Sequence, residues 1–222
     1  MGLFFKKKKS EFGEISGSGV SYSGEKDQDG KPHGIGTMKY SNGDRYEGRW
    51  EHGHRVGGTL YIKGGYRYEG AFDDEEYFTG HGKYYYPEGD VFEGEFVKGN
   101  KNGFGRYVWD TGTWSEGNYV NDVREGPTKM YRADDKCIYE GTMVNDRFMG
   151  YLKIFAEDGN LIYEGETVNG KCVGKGRLYV HGGYIDGVWN DLNNCEGLYY
   201  APDGSVSEIL LRNGKFIKGG NW

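Results

Sequence analysis

The sequence predicts an all-β protein, an elongated and twisted antiparallel sheet of about eight to nine stacked β-hairpin repeats. Three observations lead to this prediction. Glycine accounts for 41 of the 222 residues and aromatic residues for 16% of them, a composition typical of tight turns and of rings buried over bare backbone. A glycine-centred motif recurs every 22 to 24 residues along nearly the whole chain. Turn dipeptides such as Asn42-Gly43 and Asp158-Gly159 separate the short segments within each period.

Each repeat begins with an aromatic-Glu-Gly segment, of which Tyr46-Glu47-Gly48-Arg49-Trp50 is a clear copy. A second element, often Gly-x-Gly followed by an aromatic residue, comes later in the repeat, as in residues 34–40. Two elements with a turn at each end fit two strands of roughly five to seven residues. Each repeat is therefore predicted to be a hairpin. The anchor glycines are Gly24, Gly48, Gly70, Gly94, Gly117, Gly141, Gly165 and Gly187.

Strand alternation assigns the two faces of the predicted sheet. It places Tyr46, Gly48 and Trp50 on one face, and Glu47 and Arg49 on the other. We expect the rings to lie over the glycine backbone of neighbouring strands, the arrangement called aromatic rescue. The opposite face carries one acidic residue per repeat, and five repeats place a base where it can pair across strands, for ~0.2–1 kcal/mol each. Those bases are Lys83, Arg106, Lys129, Lys153 and Arg177.

The pattern Tyr-Glu-Gly-x-Trp followed by Gly-x-Gly-x-x-x-Tyr resembles the MORN repeat (membrane occupation and recognition nexus). The resemblance covers residues of about 15 to 215 in eight registered copies. It implies an antiparallel hairpin array, often with an aromatic-lined groove, that binds or tethers other molecules. MORN arrays occur in junctophilins, in phosphatidylinositol-phosphate kinases, and in ciliary and cytoskeletal scaffold proteins.

The repeats divide the chain into three predicted regions. Residues 1–14 form a basic, flexible N-terminal tail, residues 15–184 form regular repeats, and residues 185–222 form degenerate C-terminal repeats. In this last region Ile209 stands where an anchor glycine is expected, and residues 193–196 replace a glycine-containing loop. We expect these repeats to act as a cap or as a homodimer contact.

Thirteen aromatic residues make up the predicted stripe, and the sequence leaves two interpretations of it open. The rings form a packed core, or part of the stripe is an exposed groove for a peptide or helix of a protein partner. The candidates are Tyr46, Trp50, Tyr68, Phe72, Tyr86, Phe92, Phe96, Trp109, Trp114, Tyr119, Tyr139, Tyr163 and Trp189.

The N-terminal tail combines two aromatic residues with four lysines: Phe4, Phe5, Lys6, Lys7, Lys8 and Lys9. This segment suits an anionic phospholipid surface, where each lysine contributes about 1 kcal/mol. The alternative is a disordered basic tail that docks on an acidic protein or filament. Lys6 occupies the position where the N-myristoylation pattern has Ser or Thr.

Few features of the sequence point to chemistry. The Gly-x-Gly segments are not followed by a helical pattern, which a phosphate-binding loop requires. The net charge of −6 opposes nucleic-acid binding, and the three cysteines are expected to be free thiols. The histidines are expected to be surface loop residues without a metal: His33, His52, His54, His81 and His181. We expect no cofactor and no enzyme activity.

The sequence thus predicts a non-catalytic scaffold or adaptor for protein partners that links cytoskeletal or ciliary (axonemal) components. The alternatives are a peripheral membrane tether that binds anionic phospholipid through the tail, and an accessory subunit of a separate enzyme. No apolar run is long enough to span a membrane, and the N-terminus lacks the apolar stretch of a secretory signal. We therefore expect a cytoplasmic protein, at the cytoskeleton, at a cilium or on the cytoplasmic face of a membrane.

Overall fold

The computed structural model describes residues 19–180 and 182–218, and over these ranges the predicted class is confirmed. Eighteen strands of an antiparallel sheet follow one another along the described residues, with no helix among them. Hence no helical segment in these ranges could cross a membrane. The strands are β1 Ser21–Lys26, β2 Pro32–Lys39, β3 Arg45–Glu51, β4 His54–Ile62, β5 Tyr66–Phe72, β6 Phe78–Tyr85, β7 Val91–Val97, β8 Asn100–Val108, β9 Trp114–Val120, β10 Val123–Tyr131, β11 Cys137–Val144, β12 Arg147–Phe155, β13 Leu161–Val168, β14 Lys171–Val180, β15 Gly183–Asp191, β16 Asn194–Tyr200, β17 Val206–Arg212 and β18 Lys215–Lys218.

The chain forms two compact units. Among the described residues, the first contains 19–112 together with Asn118–Val123, and the second contains Thr113–Gly117 together with 124–180 and 182–218. In the first unit, strands β1 to β8 pair in sequence order. In the second, strands β10 to β18 do the same.

Glycines from successive strands lie opposite one another. In the first unit this produces an unbroken row across eight strands: Gly24, Gly36, Gly48, Gly58, Gly70, Gly82, Gly94 and Gly105. In the second unit a shorter row consists of Gly165, Gly176, Gly187 and Gly197. Each row is a trough without side chains on one face of the sheet.

Aromatic rings fill these troughs, as the alternation of the sequence predicts. The Tyr68 ring covers Gly70 and Gly82 so closely that a Cβ atom on either glycine would overlap it. Tyr163 covers Gly165 and Gly176 in the same way. The Tyr68 hydroxyl donates to the Ala71 carbonyl at 3.0 Å, so the polar end of the ring is satisfied as burial requires. Glycine is therefore retained in these strands because a side chain would displace the ring.

Each unit has its own core, formed by the aromatic face of its strands. In the first, Tyr46, Tyr68 and Phe92 are completely buried. In the second, Tyr163 and Ile185 are completely buried. Trp50 Nε1 donates to the Gly36 carbonyl at 3.2 Å, and Trp189 Nε1 donates to the Gly176 carbonyl at 2.9 Å.

The degenerate C-terminal repeats continue the strand pairing. Ile209 lies opposite Gly197 and is buried at 3% exposure. A branched side chain thus fills core volume at the position where other repeats carry the anchor glycine. The cap or dimer role of residues 185–222 stays a prediction, and the tail of residues 1–14 lies outside the described residues.

Candidate partner-binding surface

The aromatic stripe is mostly core. Nine of its thirteen members are buried, at 0 to 6% exposure: Tyr46, Trp50, Tyr68, Phe72, Phe92, Phe96, Tyr119, Tyr163 and Trp189. Their faces cover glycines or contact other rings, so these nine do not line an exposed groove. For these nine residues the packed-core interpretation holds and the exposed-groove interpretation does not, because the glycine troughs accommodate whole rings.

The other four members of the stripe, Tyr86, Trp109, Trp114 and Tyr139, are half-buried. Tyr86 and Trp109 belong to a row of half-buried rings in which Tyr86 lies 5.8 Å from Tyr107, and Tyr107 lies 5.0 Å from Trp109. Trp114 stacks on Tyr131 at 3.9 Å. Tyr139 lies 5.8 Å from Phe148, at the edge of the core of the second unit.

The opposite face of the sheet carries the predicted ladder of charges. In the second unit the register aligns acids and bases across consecutive strands: Lys129, Glu140, Lys153, Glu164, Arg177 and Asp186. In the first unit Lys83 lies between Glu69 and Glu93, and Arg106 lies opposite Glu93. All five bases that the sequence assigns to cross-strand pairs therefore face an acid.

Some ladder positions combine an ion pair with a tyrosine ring. Arg177 donates from Nε and Nη2 to the two carboxylate oxygens of Asp186, at 2.7 and 2.8 Å. Its guanidinium also lies 4.0 Å from the ring centroid of Tyr184. In the first unit Arg67 lies 3.7 Å from the Tyr85 ring and pairs with Glu69 at 3.1 Å. Such stacks hold the arginines flat on the sheet and leave their outer surface accessible.

A shallow depression of about 550 Å³ lies on this charged face in the second unit. Its floor is the backbone of Gly165, Gly176 and Gly187. The trough that these glycines form lies on the opposite face. Its other lining residues are Tyr151, Glu164, Lys175, Arg177, Asp186 and Val188. Tyr151 and Val188 are exposed at 52% and 57%, so apolar and charged groups are both available here to another molecule.

Hydrogen bonds couple two ionisable groups in the lining of the depression, Glu164 and Tyr151. Glu164 accepts hydrogen bonds from the hydroxyls of Tyr151 and Tyr179, both at 2.7 Å. The bond from Tyr151 is the main reason that the pKa of Glu164 falls below its ordinary value. Desolvation and that same bond raise the pKa of Tyr151 to about 12. At neutral pH Glu164 is thus ionised and Tyr151 is protonated, a pattern that favours recognition over proton transfer.

The remaining sequence-predicted contact residues, Phe4, Phe5, Lys6, Lys7, Lys8 and Lys9, lie outside the described residues. One cluster is absent from the sequence predictions: Asp27, His33 and His52 each offer a potential ligand atom, and these atoms lie within 4.8 Å of one another. Asp27 and His33 flank the turn between β1 and β2, whereas His52 comes from the turn between β3 and β4, which spacing along the sequence does not bring next to them.

Comparison with family models gives matches to "MORN repeat" at five segments, residues 22–45, 77–91, 92–114, 139–151 and 163–180. Among solved structures, the chain is similar to the SAS-4 (dCPAP) TCP domain of Drosophila melanogaster, determined in complex with a proline-rich motif of Ana2 (dSTIL). That match has 12% identity and a TM-score of 0.35, and covers 79% of this chain and 83% of the other. At that score the likeness carries no argument about the function of this chain.

Proposed function

Because the chain belongs to the MORN-repeat family, we propose that it is a non-catalytic scaffold that binds an extended segment of a partner protein through the depression on its charged face. The observation that carries this proposal is the exposure of Tyr151 and Val188 beside a floor of glycine backbone. Strand alternation leaves no side chain over this stretch of backbone on the charged face, so an extended segment can lie between the flanking side chains.

The chemistry of the lining indicates what the segment would contain. Lys175 is an exposed cation at the rim and lies opposite Val188 in the register. Arg177 is already paired with Asp186, and Glu164 with two tyrosine hydroxyls. We therefore assign to the partner an apolar side chain that contacts Val188 and a neighbouring acidic residue that contacts Lys175.

A binding role is supported by the protonation states as well as by the family. Glu164 has a lowered pKa and Tyr151 a raised one, so neither titrates near neutral pH. General acid–base catalysis needs groups with a pKa near the working pH.

Photo-crosslinking in cells tests the proposal. A photoreactive amino acid placed at Val188 is expected to give a discrete protein adduct, because that side chain borders the depression. Val168 is the matched control, since it is a valine of similar exposure, 47% against 57%, and does not line the depression. We expect Lys175→Glu to weaken the Val188 adduct. Equal adducts at both positions, or an adduct insensitive to Lys175→Glu, would contradict the proposal.

A membrane tether is the second candidate, supported by the sequence Phe4-Phe5 followed by Lys6–Lys9. Liposome co-sedimentation of the full chain and of a chain lacking residues 1–10 tests it. Salt-sensitive binding to anionic vesicles that disappears with the tail would support the tether. Binding that is equal in both proteins would oppose it.

We further propose that the scaffold acts in the cytoplasm, at the cytoskeleton or at a cilium, where many MORN arrays are found. Its partner there would be a structural protein, whereas an accessory subunit would have an enzyme as its partner. Proximity labelling from the full chain distinguishes the two, because it identifies the class of the neighbouring proteins.

A further inference from the structure

Two turns of the first unit and the start of β2 bring Asp27, His33 and His52 together. Asp27 follows β1, His33 is the second residue of β2, and His52 lies in the turn between β3 and β4. His52 Nδ1 lies 2.8 Å from Asp27 Oδ2, and the two imidazole rings are 5.0 Å apart. One potential ligand atom from each residue lies within 4.8 Å of the other two.

The backbone fixes the Asp27 carboxylate in place. Its Oδ1 accepts hydrogen bonds from the amides of Asp29, at 3.0 Å, and of Lys31, at 2.9 Å. Its Oδ2 faces His52, and the side chain is only 9% exposed. One oxygen is therefore used to orient the group, and the other is directed into the cluster.

The turn itself does not require a histidine at residue 52. His52 has a positive φ of 46°, and five other residues have the same conformation in equivalent hairpin turns, with φ between 48° and 53°. They are Lys98, Asn121, Asn145, Asn169 and Asn213. Since lysine or asparagine forms the same turn elsewhere, the imidazole of His52 is not required for the turn conformation.

His33 occupies a position with a known structural role in the other hairpins. Its Nδ1 accepts a hydrogen bond from the His52 amide at 3.5 Å. Equivalent bonds to Asn102, Glu125, Met149 and Asn194 measure 3.0 to 3.3 Å. The histidine makes the longest of these bonds, at the upper end of hydrogen-bond distances.

Two imidazoles and one carboxylate are a donor set for a transition-metal dication of the zinc class. Zn²⁺ binds imidazole nitrogen and carboxylate oxygen at about 2.0–2.2 Å, so tetrahedral ligand atoms lie about 3.4 Å apart. In this cluster His52 Nδ1 and Asp27 Oδ2 are 2.8 Å apart and all three ligand atoms lie within 4.8 Å of one another, a range that includes this spacing. Ca²⁺ and Mg²⁺ prefer sites made of oxygen alone.

We propose that Asp27, His33 and His52 form a Zn²⁺-binding site with three protein ligands. On binding, the ion takes the place of the proton between His52 Nδ1 and Asp27 Oδ2, and the imidazole binds as a neutral ligand with its single proton on Nε2. His52 is 66% exposed, which leaves the fourth ligand position on the solvent side for water.

The first unit also contains a matched turn without the histidines. In the loop between β5 and β6, Asp73 Oδ1 accepts the amides of Glu75, at 3.0 Å, and of Tyr77, at 2.9 Å. The Gly99 amide donates to Phe78, just as the Gly53 amide donates to Pro32. This correspondence places Thr79 at the position of His33, and Lys98 at the position of His52. His33→Thr and His52→Lys thus introduce residues that this fold already accepts.

Calorimetric titration of the untagged, reduced full chain with zinc chloride tests the site. We expect saturable binding of one Zn²⁺ per chain that His33→Thr and His52→Lys each weaken at least about tenfold. His52→Asn, the residue of four other turns, serves as a second variant if His52→Lys fails to fold. The control is His81→Asn, which removes an exposed histidine outside the cluster and is expected to leave the affinity unchanged.

Imidazole nitrogen NMR gives an independent readout. Zinc is expected to shift the His33 and His52 ring signals and to leave those of His81 in place. Absence of saturable binding to the wild-type chain would overturn the proposal. So would affinity that is unchanged in both His33→Thr and His52→Lys.

Discussion

Arg55 Nη2 donates a hydrogen bond to Glu76 Oε2 at 2.9 Å, and both side chains are buried, at 1% and 4% exposure. The guanidinium also lies 4.7 Å from the centroid of the Phe72 ring. Arg55 is opposite Trp50 in the register, and the equivalent places opposite Phe72 and Met143 hold the apolar residues Phe78 and Phe148. This ion pair therefore replaces apolar packing in the core of the first unit.

We predict that Glu76→Gln lowers the free energy of unfolding by about 3 kcal/mol, because it removes the negative charge that pairs with the buried Arg55 guanidinium. The control is Glu47→Gln. It breaks the exposed Arg45–Glu47 pair, which has 40% and 39% exposure, and should cost less than about 1 kcal/mol. Urea denaturation measures both. Equal losses in the two variants would contradict a special role for the buried pair.

The three thiols are predicted to differ in reactivity. Burial raises the pKa of Cys195 to about 11 and also raises those of Cys172 and Cys137, so the difference in reactivity comes from access to the thiol. Cys195 and Cys172 are buried in the core of the second unit, whereas Cys137 is half-buried. In a disulfide-exchange assay at mildly alkaline pH, Cys137 should be the one thiol that reacts in the folded protein. Cys137→Ser should therefore abolish the reaction of the folded protein. Three equally fast thiols in the folded state would oppose this assignment.

Alkaline pH is predicted to destabilise the fold through its buried tyrosines. Desolvation raises the pKa of Tyr40 from 10.0 to about 12. Because the pKa of Tyr40 is higher in the folded than in the unfolded protein, the stability that its protonated hydroxyl contributes is complete below pH 10. That stability is lost as the pH rises through about 12. We expect Tyr40→Phe to shift the midpoint of alkaline unfolding, measured by circular dichroism, to higher pH. An unchanged midpoint would show that Tyr40 does not couple ionisation to unfolding.

Much of the fold could be predicted from the sequence, because the glycine spacing fixes the strands, the turns and the register together. Tyr68 and Gly70 lie two residues apart, so alternation places the ring and the bare backbone on one face. The same parity places Lys83 opposite Glu69 and Glu93, as the structure has them. These relations are local or follow from the repeat, and the repeat is evident in the sequence itself.

Other features depend on packing that the repeat does not encode. The burial of Arg55 depends on Glu76 in another loop, at a φ of 65° that glycine more often adopts. The cluster of Asp27 and His52 joins two turns that are 25 residues apart. Whether the aromatic stripe was core or groove depended on how deeply the rings enter the glycine row, and sequence parity sets only the face.

The central structural claim is that aromatic rings occupy the space left by the missing side chains of the glycine row. Gly70 and Gly57 test it, because neither has a positive φ and they differ in what covers them. A Cβ atom on Gly70 would lie 2.6 Å from Tyr68 Cζ, whereas on Gly57 its nearest neighbour would be the Gly70 carbonyl oxygen at 3.6 Å. Alanine thus overlaps a ring at one position and finds ordinary contact at the other.

The most direct measurement is the free energy of unfolding of Gly70→Ala and Gly57→Ala by urea denaturation. We predict a loss of about 1–3 kcal/mol for Gly70→Ala, because the added methyl group must displace the Tyr68 ring. Gly57→Ala should be neutral or stabilise the protein by up to about 1 kcal/mol, since alanine restricts the unfolded chain. Equal stability of the two variants would contradict the claim.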